Sequence, residues 1–191
     1  MIPRLVIASK NKDKIAEIEA VLTGAGLAGS VVRGLDWPEV EETGATLEEN
    51  ALLKARSVAL VTGLPALGDD TGLEVAALGG RPGVHTARYA GETATYEQNC
   101  RKLLDELNGI EDRRAWFRTV VALAFPDGSD VVASGQIDGE IALEPRGKGG
   151  FGYDPVFEVD GRTFSEMPDG EKNSMSHRAR ALRALLEQSG L

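Results

Sequence analysis

The alternation of apolar and polar positions begins with a strand, a helix and a further strand. Residues 5–8 form a short apolar run of the kind found in buried strands. Apolar side chains then recur at Ile15, Ile18 and Leu22, and these spacings of three and four predict a helix that ends near Gly24. Two adjacent valines at 31–32 indicate a second strand.

A second helix is predicted to begin after Thr46. Thr46 and Glu49 have the spacing of a capping box, in which side chains satisfy backbone N–H groups at a helix start. Asn50 and Lys54 lie one helical turn apart on a polar face. The apolar face consists of Leu47, Ala51, Ala55 and Val58. Residues 63–65 end this helix, and a strand at 66–67 leads into Gly68-Asp-Asp-Thr-Gly72, which puts Asp69 and Asp70 at the end of that strand.

The remainder of the chain mixes antiparallel strands with helices. A third helix is predicted over 93–107, and runs at 117–125 and 131–137 form a hairpin around the turn 126–129. A final helix is defined by Met175, Ala179, Leu182 and Leu186, with residues 172–178 at its start. The order predicts an α/β fold over residues 1–191, in which a twisted mixed sheet is flanked by helices.

Composition narrows the function classes. A net charge of -9 and a pI of about 4.8 argue against a nucleic-acid polymer or an anionic membrane as partner. The single cysteine, Cys100, excludes an intrachain disulfide and a multi-cysteine metal site. No stretch approaches the ~20 apolar residues that cross a bilayer. We therefore expect a cytoplasmic protein.

Three segments carry candidate phosphate and metal chemistry. Residues 9–14 join a strand to a helix, where unpaired backbone N–H groups and lysines suit a phosphate. The adjacent carboxylates Asp69 and Asp70 suit Mg²⁺ or the orientation of an attacking water. Glu41 and Glu42 form a second carboxylate pair. Taken singly, each segment also fits a capped helix, a polar turn or a solvated loop.

Two later segments are suited to recognition of a base. Residues 147–152 match G-x-G-x-x-G, but they run into Pro155 rather than a helix, which excludes the dinucleotide-binding fingerprint. We interpret them as a flexible loop whose backbone approaches a ligand and presents Phe151 or Tyr153 for stacking. Donors in residues 172–178 suit the carbonyl edge of a base or further phosphate oxygens.

Together and in this order, these motifs resemble one known family. They are Ser9-x-Asn11-x-x-Lys14, Glu41-Glu42-Thr43-Gly44, Asn50 with Lys54, Gly68-Asp-Asp-Thr-Gly72, Gly149-Gly-Phe-Gly-Tyr-Asp-Pro155 and Ser176-His-Arg178. The chain resembles the Ham1/RdgB family of inosine triphosphate pyrophosphatases over essentially its whole length. The resemblance implies hydrolysis of ITP, dITP and XTP to the monophosphate and pyrophosphate. It also implies two lobes with a central cleft and a homodimer.

The resemblance further implies roles for individual residues. Asp70 would be the base that activates water, and Glu41 and Asp70 would hold Mg²⁺. Substrate would be bound by Ser9, Lys10, Asn11, Lys12, Asp13, Lys14, Lys54, Thr71, Phe151, Gly152, Tyr153, Asp154, Lys172, His177 and Arg178. We expect the lysine-rich and carboxylate-rich stretches to meet in a single groove. Two alternatives stay open: a Maf-type nucleotide pyrophosphatase of different base preference, and a non-catalytic nucleotide sensor.

Overall fold

The computed structural model of the chain describes residues 4–26 and 28–190. Within them, seven strands share one sheet and five α-helices accompany it. In chain order the elements are β1 Val6–Ile7, α1 Lys12–Gly24, α2 Leu47–Thr62, β2 Ala66–Val75, β3 Pro82–Gly83, α3 Tyr96–Glu106, β4 Arg114–Ala124, β5 Asp130–Ile141, β6 Phe157–Val159, β7 Arg162–Thr163, α4 Asp169–Met175 and α5 His177–Ser189.

The sheet is mixed, as the sequence predicts. The strand order is β1-β2-β4-β5-β6-β7, with β3 paired to β2. β1 runs parallel to β2, whereas β3 on β2, β6 on β5 and β7 on β6 are antiparallel. The predicted hairpin of β4 and β5 is confirmed: the Phe125 N–H donates to the Ser129 carbonyl across its turn, at 2.9 Å.

The chain divides into two compact units, each with its own apolar core. The first unit consists of residues 1–70, 119–136 and 176–191, and the second of residues 71–118 and 137–175. The first core includes Ile18, Leu22, Leu67, Leu123 and Leu182. The second core includes Leu73, Leu103, Phe117, Phe157 and Phe164, with the Phe117 and Phe157 rings 4.7 Å apart. The predicted cleft between lobes stays a prediction.

Two glycines allow helices of the first unit to approach its strands closely. A Cβ at Gly68 of β2 would lie 2.4 Å from the Ala51 carbonyl oxygen of α2. A Cβ at Gly135 of β5 would lie 2.3 Å from the Ala181 nitrogen of α5. Because real side chains do not tolerate such distances, glycine at these positions sets how near α2 and α5 lie to the strands.

Several predicted boundaries are wrong. The predicted last helix is two helices, because the Ser176 hydroxyl accepts from the Ala179 N–H and begins α5 afresh. α3 begins at Tyr96, after a capping box of Thr95 and Gln98, and not at residue 93. The predicted strand at 31–32 is reduced to a single bridge between Leu5 and Val31. In the described part of the chain, no helix is long and apolar enough to cross a membrane.

Candidate active site

The carboxylates Asp69 and Asp70 lie in the interior of β2. The sequence predicted them at the end of a short strand, and that placement is wrong, since β2 continues from Ala66 to Val75. Both residues are buried, Asp69 at 2% exposure and Asp70 at 5%. Turn-forming residues stay in the strand here because each buried carboxylate finds cationic partners within the first unit.

Asp69 is held by two cations. Its Oδ2 lies 3.4 Å from Lys14 Nζ of α1 and accepts from Arg178 Nε of α5 at 3.3 Å. Burial alone would raise the pKa of Asp69, but Lys14 and Arg178 lower it well below its usual range. The Arg178 guanidinium also forms an ion pair with Glu17 of α1. Asp69 is therefore an ionised counter-charge that ties α1 and α5 to β2.

Asp70 has a different environment. Its Oδ1 lies 3.3 Å from Lys54 Nζ, and its Oδ2 accepts from Asn50 Nδ2 at 3.2 Å. Lys54 also forms an ion pair with Glu42 at 2.6 Å. Burial raises the pKa of Asp70, and Glu42 adds to that rise against the opposing effect of Lys54 and Lys14. Of the two adjacent carboxylates, Asp70 is the one suited to accept a proton.

The acidic loop before α2 is attached to this cluster through its second glutamate. Glu42 reaches Lys54, whereas the side chain of Glu41 is exposed. The Gly44 N–H donates to Asn50 Oδ1 at 2.8 Å. Burial would lower the pKa of Lys54, but Asp70, Asp69 and Glu42 together raise it. Lys54 thus stays charged among three carboxylates.

The start of α1 is capped by the chain itself. Asn11 Oδ1 accepts from the N–H groups of Asp13 and Lys14, at 2.9 and 3.2 Å, and the Asn11 N–H donates to Ser9 Oγ. The prediction of unpaired N–H groups at this helix start is therefore wrong for residues 13 and 14. Lys10 and Lys12 are exposed, as is Asp13, so their charged groups lie at the surface of the first unit.

A second cluster lies within the second unit. Lys172 of α4 and Asp154 form a buried ion pair, with side-chain exposures of 4% and 5%. Asp154 Oδ2 also accepts from the Phe151 N–H at 2.8 Å, and Lys172 Nζ lies 4.9 Å from the centroid of the Phe151 ring. A Cβ at Gly150 would lie 2.2 Å from Asp154 Oδ2, so a side chain at 150 is incompatible with this arrangement.

The loop 147–152 is anchored by its own chain. Ser165 accepts through its carbonyl from the N–H groups of Lys148 and Gly149, and its hydroxyl donates to the Gly149 carbonyl at 2.6 Å. The interpretation of this loop as flexible stays a prediction. A Cβ at Gly147 would lie 2.3 Å from the Ser165 carbonyl carbon. The backbone of this loop thus packs closely against Ser165 of the same chain.

The remaining predicted residues occupy varied surroundings. Tyr153 is buried at 3% exposure, and its hydroxyl donates to the Thr86 carbonyl, which leaves the ring-stacking role to the half-buried Phe151. Gly152 accepts from Cys100 Sγ through its carbonyl, and Thr71 is a half-buried residue of β2. His177 is buried at the first position of α5.

The resemblance gave no individual role to three residues that the structure brings into the first cluster, although Glu42 and Asn50 belong to its motifs. They are Glu17, Glu42 and Asn50. One feature of the sequence could have drawn attention to Glu17. It lies one helical turn after Asp13, on the helix that begins in the lysine-rich segment. Its partner Arg178 is 161 residues away, which local pattern reading does not reach.

The donor chemistry of the first cluster fits Mg²⁺. Asp70 and Glu42 share Lys54 as partner, so negative groups exceed positive ones around Asp70. Mg²⁺ takes oxygen ligands and is commonly bound by one or two carboxylates plus substrate phosphates. Among the described residues, no group of three or more His, Cys, Asp or Glu side chains forms a complete metal site. A site that relies on substrate oxygens is consistent with that finding.

The fold and the two clusters define a class: an α/β protein with buried carboxylates and lysines suited to polyphosphate chemistry. The Ham1 family profile matches residues 5–188. The chain is 50% identical to the dITP/XTP pyrophosphatase of Geobacter sulfurreducens, covering 98% of this chain and 96% of that relative. It is 48% identical to the dITP/XTP pyrophosphatase of Symbiobacterium thermophilum, over 97% and 94%.

Solved structures agree with the sequence comparison. A HAM1 protein from Coxiella burnetii has a TM-score of 0.83 and 41% identity, covering 100% of this chain and 99% of that one. The Staphylococcus aureus Ham1 protein has a TM-score of 0.82 and 38% identity, covering 98% of each chain. The chain belongs to the Ham1 family.

Proposed function

We propose that this protein hydrolyses dITP, XTP and ITP to the corresponding monophosphate and pyrophosphate, and so removes non-standard purine triphosphates from the nucleotide pool. One observation carries the proposal: Asp70 is a buried carboxylate with a raised pKa, held between Lys54 and Asn50 beside the Lys14–Asp69 pair. The names of the Geobacter and Symbiobacterium relatives support the substrate class.

In the proposed reaction, Asp70 accepts a proton from a water molecule. The water oxygen forms a bond to the α-phosphorus, the bond from that phosphorus to the α–β bridging oxygen breaks, and the electron pair leaves with pyrophosphate. A carboxylate whose pKa is raised toward neutral pH is the stronger base for this step. Lys14 and Lys54 place positive charge where the phosphates carry negative charge.

We further propose that the reaction depends on Mg²⁺ held by Asp70 and Glu41. Mg²⁺ when bound offsets charge on the triphosphate and on the departing pyrophosphate. The side chain of Glu42 contacts Lys54 and that of Glu41 is exposed, so Glu41 and Glu42 are to be tested in parallel. We also propose that the protein acts in the cytoplasm as a homodimer.

Base selection is proposed to depend on hydrogen-bond donors that face the 6-carbonyl of the base. Lys172, His177 and Arg178 are the predicted donors, and Phe151 is the stacking surface. Adenine presents an amino group at position 6, which would set donor against donor, and such a mismatch discriminates strongly. Guanine shares the carbonyl, so its exclusion must depend on the 2-amino group.

A pyrophosphate-release assay on ITP, dITP, XTP, ATP and GTP, with and without Mg²⁺, tests the proposal. We expect fast release from the first three nucleotides in Mg²⁺ and slow release from ATP and GTP. Comparable rates on all five would refute the selectivity. A preference for another base would favour the Maf-type alternative, and tight binding without pyrophosphate release would favour a sensor.

A further inference from the structure

Asn50 connects the two parts of the acidic cluster. Its side chain is 1% exposed, and both ends of its amide are engaged. Nδ2 donates to Asp70 Oδ2 at 3.2 Å, and Oδ1 accepts from the Gly44 N–H at 2.8 Å. A backbone N–H only donates, so the bond from Gly44 fixes which end of the amide faces Asp70.

Asn50 and Lys54 hold Asp70 from successive turns of α2. Lys54 contacts Oδ1 of the carboxylate and Asn50 contacts Oδ2, so each oxygen has one partner. Residues four apart lie on the same face of a helix, so the helix fixes the distance between the two side chains that contact Asp70. The neighbouring residues Ala51 and Ala55 approach Gly68 closely and so bring these turns of α2 to β2.

The Gly44 side of the connection is equally constrained. A Cβ at Gly44 would lie 2.7 Å from Asn50 Oδ1, 2.7 Å from Glu49 Cβ and 3.0 Å from the Asn50 nitrogen, so a larger residue there displaces the amide together with the first turn of α2. Displacement of the amide in turn moves the donor that faces Asp70. The side chain of Asn50 therefore connects the acidic loop 41–44 to the Asp70 carboxylate on β2.

We infer that Asn50 is a positioning residue: it fixes the orientation of the Asp70 carboxylate and holds the acidic loop 41–44 in register with it. This inference rests on the proposed function. A residue that orients a catalytic group affects the chemical step more than substrate binding. Loss of such a supporting partner typically costs about 10- to 100-fold in activity.

The test compares Asn50→Ser, Asn50→Leu, Gly44→Ala and the double variant Gly44→Ala/Asn50→Ser with wild type. Glu48→Gln is the matched control, because Glu48 is exposed in the first turn of the same helix. We measure kcat and KM for dITP in Mg²⁺, the Kd for dITP in EDTA by calorimetry, and the urea unfolding midpoint of each protein.

We expect both Asn50 variants to lower kcat about 10- to 100-fold, with KM and the EDTA Kd within about twofold of wild type. Gly44→Ala should also lower kcat, and its effect on kcat should be smaller in the Asn50→Ser background, because both changes break the bond between Gly44 and the Asn50 amide. The urea midpoints should show the same non-additivity, and Glu48→Gln should match wild type throughout.

A folded Asn50→Ser protein with wild-type kcat would overturn the inference. So would independent, multiplicative effects of Gly44→Ala and Asn50→Ser. If Asn50→Leu does not fold, Asn50→Ser and Gly44→Ala decide the matter. If wild type and Glu48→Gln release no pyrophosphate, the proposed function fails, and additive urea midpoints would then separately refute the connection through Asn50.

Discussion

Replacing Asp69 or Asp70 of β2 by asparagine should have different effects. Asp69→Asn should mainly lower stability, and Asp70→Asn should mainly lower turnover. Asp69→Asn removes the counter-charge that Lys14 and Arg178 share, and it leaves Arg178, whose side chain is 3% exposed, with Glu17 as its remaining acidic partner. Removing one partner of a buried ion pair typically costs about 3–5 kcal/mol. Asp70→Asn also removes a partner of Lys54, but Lys54 keeps its ion pair with Glu42 and burial already disfavours the charged form of Asp70, so we expect stability to change by less than about 1 kcal/mol.

The loss of activity should be larger for Asp70→Asn than for Asp69→Asn, which is the reverse of the order in stability. Asp70→Asn removes the proposed proton acceptor and should lower turnover at least about a hundredfold while the fold survives. Asp69→Asn keeps that acceptor and should retain more turnover per folded molecule. Urea unfolding measures the stability of each variant, and with a slope of about 1–3 kcal/mol per molar the Asp69→Asn midpoint should fall by at least about 1 M.

The pH dependence supplies an independent check. The pKa of Asp69 is lowered in the folded protein from its ordinary value of 3.8. A lowered folded pKa contributes stability that is fully present above 3.8 and is lost as pH falls below it. The stability gap between wild type and Asp69→Asn should thus be constant from pH 7 to about pH 5 and should shrink in stronger acid. Equal stability of the two asparagine variants at pH 7 would refute the reasoning.

Three further predictions concern the second unit. Burial and Asp154 raise the pKa of Cys100 to about 12, so a thiol reagent at pH 8 should label the native protein far more slowly than the urea-unfolded protein; equal rates would contradict its burial. Gly150→Ala would set a Cβ against Asp154 and require φ near +70°, so it should lower the urea midpoint and raise KM for dITP, and an unchanged protein would contradict the predicted role of this loop. Lys172→Met leaves Asp154 buried without its cation and should cost about 3–5 kcal/mol in unfolding free energy; a loss below about 1 kcal/mol would show that the pair contributes little.

Sequence reading succeeds where the determinants are local. The cap at Thr46, the glycine that ends α2 and the turn of the β4–β5 hairpin depend on residues within a few positions of one another, and all three are confirmed. The mixed sheet follows from the order of these elements. The break at Ser176 is local as well, but the apolar spacing of the flanking helices continues across it and conceals the cap.

The placement of Asp69 and Asp70 depends on distant residues. The segment Gly68-Asp-Asp-Thr-Gly72 has the composition of a turn, and its residues do not by themselves predict the interior of a strand. Cations from α1, α2 and α5 make burial of these carboxylates tolerable, and Arg178 lies 109 residues from Asp69 in the chain. The family motifs brought Lys14, Lys54 and Arg178 together with this pair, and the structure places all three in contact with it.

The sequence did not predict which partner each residue of the two clusters contacts. The motifs grouped Arg178 with substrate donors, and the structure adds ion pairs of its guanidinium with Asp69 and Glu17. The glycines of 147–152 suggested contact with a ligand, but those at 147 and 150 approach Ser165 and Asp154. Each of these contacts depends on a partner from elsewhere in the chain, which only the folded protein brings close.

The most direct test of the account is the fate of solvent oxygen during hydrolysis of dITP in ¹⁸O-labelled water. If Asp70 directs water to the α-phosphorus, mass spectrometry should find one ¹⁸O atom in dIMP and none in pyrophosphate. Label in pyrophosphate, or products consisting of dIDP and phosphate, would contradict the account.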